Sequence, residues 1–219
     1  MPIVLYMEPL SPPSRAVVMV TKAIGLKIEY KIISLANGDN FRPEFLKINP
    51  QHTIPTLVDE DIALYDSHAI ITYLVSKYGR GDSLYPRDLK KRAIVDQRLH
   101  FDTGSLFSYL RLFIKKCLSN RGRTIEEYEK KFIMDSYEIL EEILNRTQYM
   151  AGDTLTIADL SIIASVTGLD MIVPINSSSF PRISQWVKKI EMLPYYEEVN
   201  DAGLKDLRGF LVTISDTVE

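Results

Sequence analysis

Every strand-like run in this chain lies before residue 66, and from Leu89 onward only helical periodicity remains. That segregation constrains the fold more than any other feature, because a mixed strand–helix segment and a purely helical one bury their apolar faces in different ways. Ile3–Tyr6 is a short β-like run. Pro9, Pro12 and Pro13 punctuate the loop after it. Ser14–Ile24 is then apolar at Val17, Val18, Val20, Thr21 and Ile24, with Gly25 where a helix stop belongs. Ile28–Ile33 alternates Ile28, Tyr30 and Ile32 with outward Glu29 and Lys31, which suits a half-buried strand. Strand, helix, strand over some thirty residues reads as a βαβ unit with parallel strands.

Beyond the polar loop Asn37–Asn40, Phe41–Ile48 holds room for a short helix. Thr56–Val58 and Ile62–Tyr65 flank Asp59-Glu60-Asp61 as a hairpin, and Ser67–Tyr78 reads as a helix capped by Asp66 or Ser67. The order β-α-β-(α)-β-β-α is that of an α/β thioredoxin-like domain. Gly79–Pro86, rich in Gly, Asp, Ser and Pro, is the best linker. The expected division is residues 1–80 as the thioredoxin-like domain, 81–89 as linker and 90–219 as an all-α domain. Helical patterns there run about Leu89–Ser119, Thr124–Arg146, Thr156–Met171, Pro181–Met192 and Gly203–Ile214. Leu155-Thr156-Ile157-Ala158-Asp159-Leu160 carries a capping box, with Thr156 and Asp159 as its two side chains and Leu155 and Leu160 as its hydrophobic staple.

A composition of 46% hydrophobic and 25% charged residues describes an ordinary globular chain. The net charge of −3, with no basic block, argues against a dedicated nucleic-acid binder. Cys117 is the single cysteine, and one thiol makes neither an internal disulfide nor a four-ligand zinc site; a reducing compartment fits and no metal is expected. The N-terminus lacks a basic, apolar leader, and the apolar stretch Leu160–Pro174 contains Asp170, Ser161 and Ser165 and is too short to span a bilayer. The expectation is a cytoplasmic protein without a membrane partner.

Ser11-Pro12-Pro13-Ser14-Arg15 stands where a redox-active thioredoxin fold keeps C-x-x-C. Serines cannot exchange disulfides. A hydroxyl beside the free N–H groups and positive dipole of a helix N-terminus can instead stabilise a thiolate brought by a ligand. A free thiol titrates near ~8.5, so a fall of roughly two pH units, about 2.7 kcal/mol, makes it mostly ionised at neutral pH. A serine hydrolase fits poorly without G-x-S-x-G. In Asn49-Pro50-Gln51-His52-Thr53-Ile54-Pro55, a cis Ile54–Pro55 bond turns the Ile54 backbone outward to pair with a bound peptide, and His52 can meet a carboxylate. Asp66-Ser67-His68 opens a helix; Ser67 and the first N–H groups suit a carboxylate and Asp66 an amine. Each segment alone reads equally as loop or cap residues. Together they match a ligand with a thiol, a peptide backbone and an amino-acid end, and glutathione has those features.

LSPPSRAV, NPQHTIPTL, DSHAI, YLVSKYG, LTIADLS and LPYYEEVN, spread over nearly the whole chain, resemble the cytosolic glutathione transferases, the insect epsilon class first and the delta class next. His68 favours epsilon, since delta-like sequences usually carry arginine there. The resemblance implies Ser11 as the catalytic serine and glutathione as co-substrate. It implies contacts to the tripeptide at His52, Thr53, Ile54 and Pro55, a γ-glutamyl clamp at Asp66 and Ser67 with His68 beside it, and Arg111 bordering both subsites. Asn40 stands where many relatives have histidine, and Lys115 where relatives can be acidic. Phe107, Leu110, Arg111, Ile114 and Leu118 form a helical stripe that reads by default as core. The resemblance implies instead that part of it, with Leu10, Leu207 and Phe210, lines an apolar pocket for small electrophiles. Cys117 reads as a buried small apolar residue. The family is dimeric, and His68 and His100 either flank the two-fold axis or are ordinary packed histidines. A carrier of apolar ligands and an interaction subunit are the competing readings; Ser11, His52, Asp66 and Ser67 together favour the enzyme.

Overall fold

A computed structural model describes residues 2–118 and 125–216, with side chains as far as Cys117 in the first stretch and Leu211 in the second. β1 (Val4–Met7) leads into α1 (Pro12–Ala23), and β2 (Glu29–Ile32) returns parallel to β1. After a 3-10 turn (Asp39–Phe41) and a one-turn α2 (Pro43–Leu46), β3 (Thr56–Asp59) runs antiparallel to β1, and a two-residue turn sends β4 (Ile62–Tyr65) back against it. The sheet order is β2-β1-β3-β4, and α3 (Ser67–Tyr78) follows.

α1 begins two residues before Ser14, because Pro12 and Pro13 occupy its first turn, where a missing N–H costs no helical bond. It ends at Gly25, which takes φ +67°; the Gly25 N–H bonds Lys22 O at 3.1 Å and the Leu26 N–H bonds Thr21 O at 2.9 Å. β2 departs from the sequence reading. It is an edge strand exposed along its length, with Tyr30 at 40% and Ile32 at 60% exposure, and it pairs with β1 alone among the described strands. At the far end of the sheet the buried Asp59 carboxylate accepts from Tyr73 and Tyr78 Oη at 2.7 Å and from Lys77 Nζ at 2.9 Å, tying β3 to α3. Burial pushes its pKa up, but these hydrogen bonds outweigh that and hold it below the usual carboxylate range.

Residues 79–88 contain no helix or strand. The helical stretch from Leu89 is two helices, α4 (Leu89–Phe101) and α5 (Phe107–Leu118), joined through a π turn at Asp102–Leu106 rather than one continuous helix; Ser119 lies outside the described residues. α6 (Glu127–Arg146) starts at a capping box of Glu126 and Glu129, and Thr124 lies outside the described residues. α7 (Ile157–Asp170), α8 (Pro181–Glu191), a second π turn (Glu197–Asp201) and α9 (Ala202–Asp216) complete the order. No described helix is long and apolar enough to cross a membrane.

α7 is the centre of the molecule. Twelve of its fourteen residues are buried, as expected of a helix packed on all sides. α1 lies against it and joins the sheet to the helical half; each fully buried Ile, Leu or Val along that contact contributes about 1.5–3 kcal/mol relative to exposure. The capping box forms as expected. Asp159 is wholly buried and accepts from Thr156 N at 2.9 Å, Thr156 Oγ1 at 3.0 Å, Met150 N at 2.8 Å and Trp186 Nε1 at 3.0 Å. One carboxylate thus joins α7, α8 and the loop before α7. Asp159→Ala strands these donors and is expected to destabilise the fold by on the order of 3 kcal/mol or more. Urea unfolding followed by Trp186 fluorescence measures it; a loss near the ~1 kcal/mol of a simple cap would contradict the wider role.

Candidate active site

The strand register collects the expected site at one edge of the sheet. Tyr6 pairs with Thr56 and Thr56 with Tyr65, so the end of β1, the start of β3 and the end of β4 lie side by side. The loop to Ser11, the Ile54–Pro55 bond and Asp66-Ser67 therefore emerge together. Met7 pairs with Ile32, which brings the loop containing Asn40 to the same edge.

Ser11 is the N-cap of α1, with extended backbone (φ −75°, ψ 119°), yet its hydroxyl makes no capping hydrogen bond. It is 7% exposed, and its own N–H goes to Glu8 O at 3.0 Å. The two prolines remove two of the N–H groups a helix start normally presents, and the Arg15 N–H bonds Ser11 O at 3.0 Å. Ser14 alone is left with an unpaired first-turn N–H, fewer donors than the sequence suggested. The Ser14 hydroxyl is buried without a partner. What α1 offers an anion is thus the Ser11 hydroxyl, one amide and the helix dipole.

Ile54–Pro55 is cis. The loop before it is organised by Asn49, which is wholly buried. Its Nδ2 donates to Thr53 O at 2.9 Å, Thr53 Oγ1 at 3.2 Å and Thr56 Oγ1 at 2.8 Å, while Oδ1 accepts from Gln51 N at 2.9 Å. Sequence reasoning passed over Asn49, although an Asn that opens an Asn-Pro turn is a known loop organiser. Thr53 helps shape the loop: its carbonyl accepts from Asn49 Nδ2 and Thr56 Oγ1, and its hydroxyl accepts from Asn49 Nδ2, which leaves the hydroxyl proton free to donate. His52 is exposed in a left-handed conformation (φ 49°) beside the Phe41 ring. Asn40 Nδ2 donates to the His52 carbonyl at 2.9 Å, and Asn40 is 6% exposed with its Oδ1 buried and unpaired. Asn40 thereby pins the loop beneath His52, with its own side chain buried.

Asp66 caps α3. Its Oδ1 accepts from His68 N at 2.9 Å and Ala69 N at 3.2 Å, and its backbone sits at φ 81°. Its second carboxylate oxygen is not used in the cap, and the Ser67 N–H at the first position of the helix is free of it.

His68 needs correction as a ligand contact. Its Nε2 meets Ser161 Oγ at 2.8 Å and Asp102 Oδ2 at 3.2 Å, its Nδ1 meets Thr103 Oγ1 at 2.9 Å, and Ser161 Oγ donates to Asp102 Oδ2 at 2.7 Å. Both ring nitrogens are engaged between α3, the first π turn and α7. The side chain holds the helical half against the start of α3 and has no donor left for a tripeptide.

On α5, Arg111 is exposed and Phe107 and Ile114 are half-buried; Leu10 and Phe210 are half-buried as well. Leu110 and Leu207 require correction. At 1% and 0% exposure they present no surface to a cleft, because α5 packs against α7 and α9. Leu110 lies so close to Gly168 that a Cβ there would fall 2.5 Å from its Cδ2. The Leu118 side chain lies outside the described residues. Two concavities sit away from this edge, one of about 730 Å³ between α4 and α6 and one of about 300 Å³ beside Trp186, and neither is lined by an expected site residue. No group of metal-ligating side chains occurs among the described residues.

Residues 5–82 match the family described as Glutathione S-transferase, N-terminal domain, and residues 108–198 match Glutathione S-transferase, C-terminal domain. Glutathione S-transferase 1 of Manduca sexta is 44% identical over 206 residues, covering 91% of this chain and 92% of its own. An epsilon-class glutathione S-transferase from the housefly, Musca domestica, superposes with a TM-score of 0.94 at 46% identity, over 97% of this chain and 98% of that one. A glutathione transferase homologue from Drosophila mojavensis, solved with bound glutathione, gives 0.92 at 41% identity, over 98% and 97%. With the thioredoxin-like sheet, the helical second half and matches over both, this chain belongs to the glutathione S-transferase family.

Proposed function

We propose that this transferase binds glutathione along the edge shared by β1, β3 and β4, ionises its thiol at Ser11, and adds the thiolate to apolar electrophiles. The observation that carries the reading is the Ser11 hydroxyl, which stands at a helix N-terminus yet is left unused by that helix. A hydroxyl free to donate, with the dipole behind it, favours a charged sulfur over a neutral one. In this reading the Ile54 backbone, presented by the cis Pro55, pairs with the cysteinyl part of the tripeptide. His52 meets the glycine carboxylate, with Asn40 steadying its loop from below. The unused oxygen of Asp66 takes the γ-glutamyl amine, and Ser67 with its N–H takes the α-carboxylate. Arg111, with Phe107, Ile114, Leu10 and Phe210, borders the second substrate.

Holding both reactants adjacent and one of them ionised is what the protein adds to the reaction. Conjugation is the reaction we assign, and detoxification of foreign apolar compounds, insecticides included, is the role it fits. Peroxide reduction and removal of HCl from organochlorines would draw on the same thiolate. We place the protein in the cytoplasm and divide it at residues 81–89, between a glutathione domain (1–80) and a substrate domain (90–219).

Ser11→Ala is expected to cut turnover by about 10- to 100-fold with little change in glutathione affinity, and to raise the pKa of the bound thiol by about one to two pH units. Ultraviolet titration of the thiolate in the binary complex reads this directly. A wild-type bound thiol that titrates at its solution value would remove the mechanism.

We also infer a homodimer. Exposed Ile62 and Tyr65 on β4 and Leu89 and Ile94 on α4 are more apolar than a monomer's surface needs. Sedimentation equilibrium is expected to give twice the 25.0 kDa chain mass, and a single-chain mass at micromolar concentration would contradict it.

A further inference from the structure

α1 carries a buried cation one turn beyond Ser11. Arg15 is 1% exposed. Its Nη1 donates to Leu10 O at 2.8 Å, its Nε to Asn200 Oδ1 at 2.9 Å and its Nη2 to Ala164 O at 3.0 Å. The Leu10 carbonyl belongs to the peptide unit whose nitrogen is that of Ser11, so the guanidinium sits one peptide away from the catalytic serine. All three acceptors are neutral, and Arg15 has no carboxylate partner among the described residues.

The charged neighbours are occupied elsewhere. On α1, Lys22 pairs with Glu198 of the second π turn at 2.7 Å. At the start of α7, Asp159 is taken up by its four donors. In the loop before α1, the Glu8 carboxylate accepts from Leu35 N at 3.3 Å. Glu197 and Asp201 on the π turn and Lys205 and Asp206 on α9 form no ion pair with Arg15 among the described residues. The titratable group that acts on the guanidinium is Tyr196, whose pKa burial pushes well up, so it faces Arg15 as a neutral phenol. The Tyr196 hydroxyl and the Thr167 hydroxyl both accept from Asn200 Nδ2, at 3.0 and 3.1 Å, which fixes the amide with its oxygen toward Arg15. Burial pushes the Arg15 pKa down to about 10, so it stays charged at neutral pH.

A buried charge without a counter-ion is costly, and folded proteins seldom keep one unless something offsets it. We propose that Arg15 is a positioning residue whose counter-charge is the ionised sulfur of bound glutathione: it fixes the Leu10–Ser11 peptide, and its unneutralised charge adds to the α1 dipole in lowering the thiol pKa. This rests on the reading of Ser11 as the thiolate's partner. It adds that the hydroxyl does not act alone, and that the interdomain contact between α1, α7 and the second π turn sets the electrostatics of the site. A unit charge several ångströms away, at the effective dielectric of a protein site, moves a pKa by about one pH unit.

Asn200→Asp tests this with almost no change in shape. It sets a carboxylate against the Arg15 guanidinium, and the Thr167 and Tyr196 hydroxyls can turn to donate. The bound thiol's pKa is expected to rise by about one pH unit, and kcat/KM below that pKa to fall about tenfold, with the unfolding midpoint held or raised. Arg15→Gln, which removes the charge but keeps a donor near the Leu10 carbonyl, is expected to shift the thiol in the same direction. Asn200→Ala removes the three hydrogen bonds of that side chain and leaves the Arg15 charge, so the unfolding midpoint should fall while the thiol titration stays in place. An unchanged thiol titration in folded Asn200→Asp and Arg15→Gln would make Arg15 a plain interdomain peg and overturn the proposal. Ser11→Ala measured in parallel separates the two readings: no shift there, with a shift in Asn200→Asp, would count against Ser11 and leave Arg15 standing.

Discussion

The pairing of Tyr6 with Thr56 and of Thr56 with Tyr65 sets everything that follows. A strand's side chains alternate with a period of two, so a slip of one residue would turn every apolar side chain of β1 or β3 to the other face. Leu5 and Leu57, both wholly buried, oppose each other across that register and hold it. Once it is held, the loop after β1, the loop before β3 and the loop after β4 end together. Ser11, the cis Pro55 and Asp66-Ser67 are far apart along the chain and adjacent in space for this reason alone.

The second half of the chain gives that edge its back wall. α7 is buried on nearly every side and α1 lies along it, so the helix that carries Ser11 at its start is clamped between sheet and bundle. Besides the exposed Lys22–Glu198 pair, two largely buried polar side chains cross the contact. His68 bonds from the first turn of α3 to Asp102 and Ser161, and Arg15 from the first turn of α1 to Ala164 and Asn200. Both lie within a turn of the residues assigned to glutathione. The interface between the halves is therefore part of the site's construction and also a source of stability.

Local signals in the sequence carried much of this. The Thr156–Asp159 capping box, the Gly25 stop and the Asp66 cap each depend on a few neighbouring residues, and each reads from the chain alone; Pro55 read only as a candidate, and its cis bond is a finding of the structure. The family resemblance is likewise spread over motifs that the structure distributes through both halves. Long-range effects did not read. The π turn at Asp102–Leu106 interrupts a stretch whose periodicity looks continuous, because inserting one residue in a turn barely disturbs the pattern. Leu110 and Leu207 share a helical stripe with Phe107 and Phe210, and only the packing of α5 on α7 and α9 decides which face is core. His68 looked like a ligand contact because it follows Ser67, and its true partners lie 34 and 93 residues away. Tyr30 and Ile32 suggested a covered face, but whether another layer packs on a strand's face is a long-range matter, and β2 is exposed along its length.

The central claim is that a serine hydroxyl, left unused by the helix it caps, receives the sulfur of glutathione. The structure of the complex with reduced glutathione tests this most directly. The account places the sulfur within ~3.5 Å of Ser11 Oγ, with the γ-glutamyl end at Asp66 and Ser67. A sulfur well beyond hydrogen-bonding reach of Ser11, or a tripeptide bound away from the β1–β3–β4 edge, would contradict it.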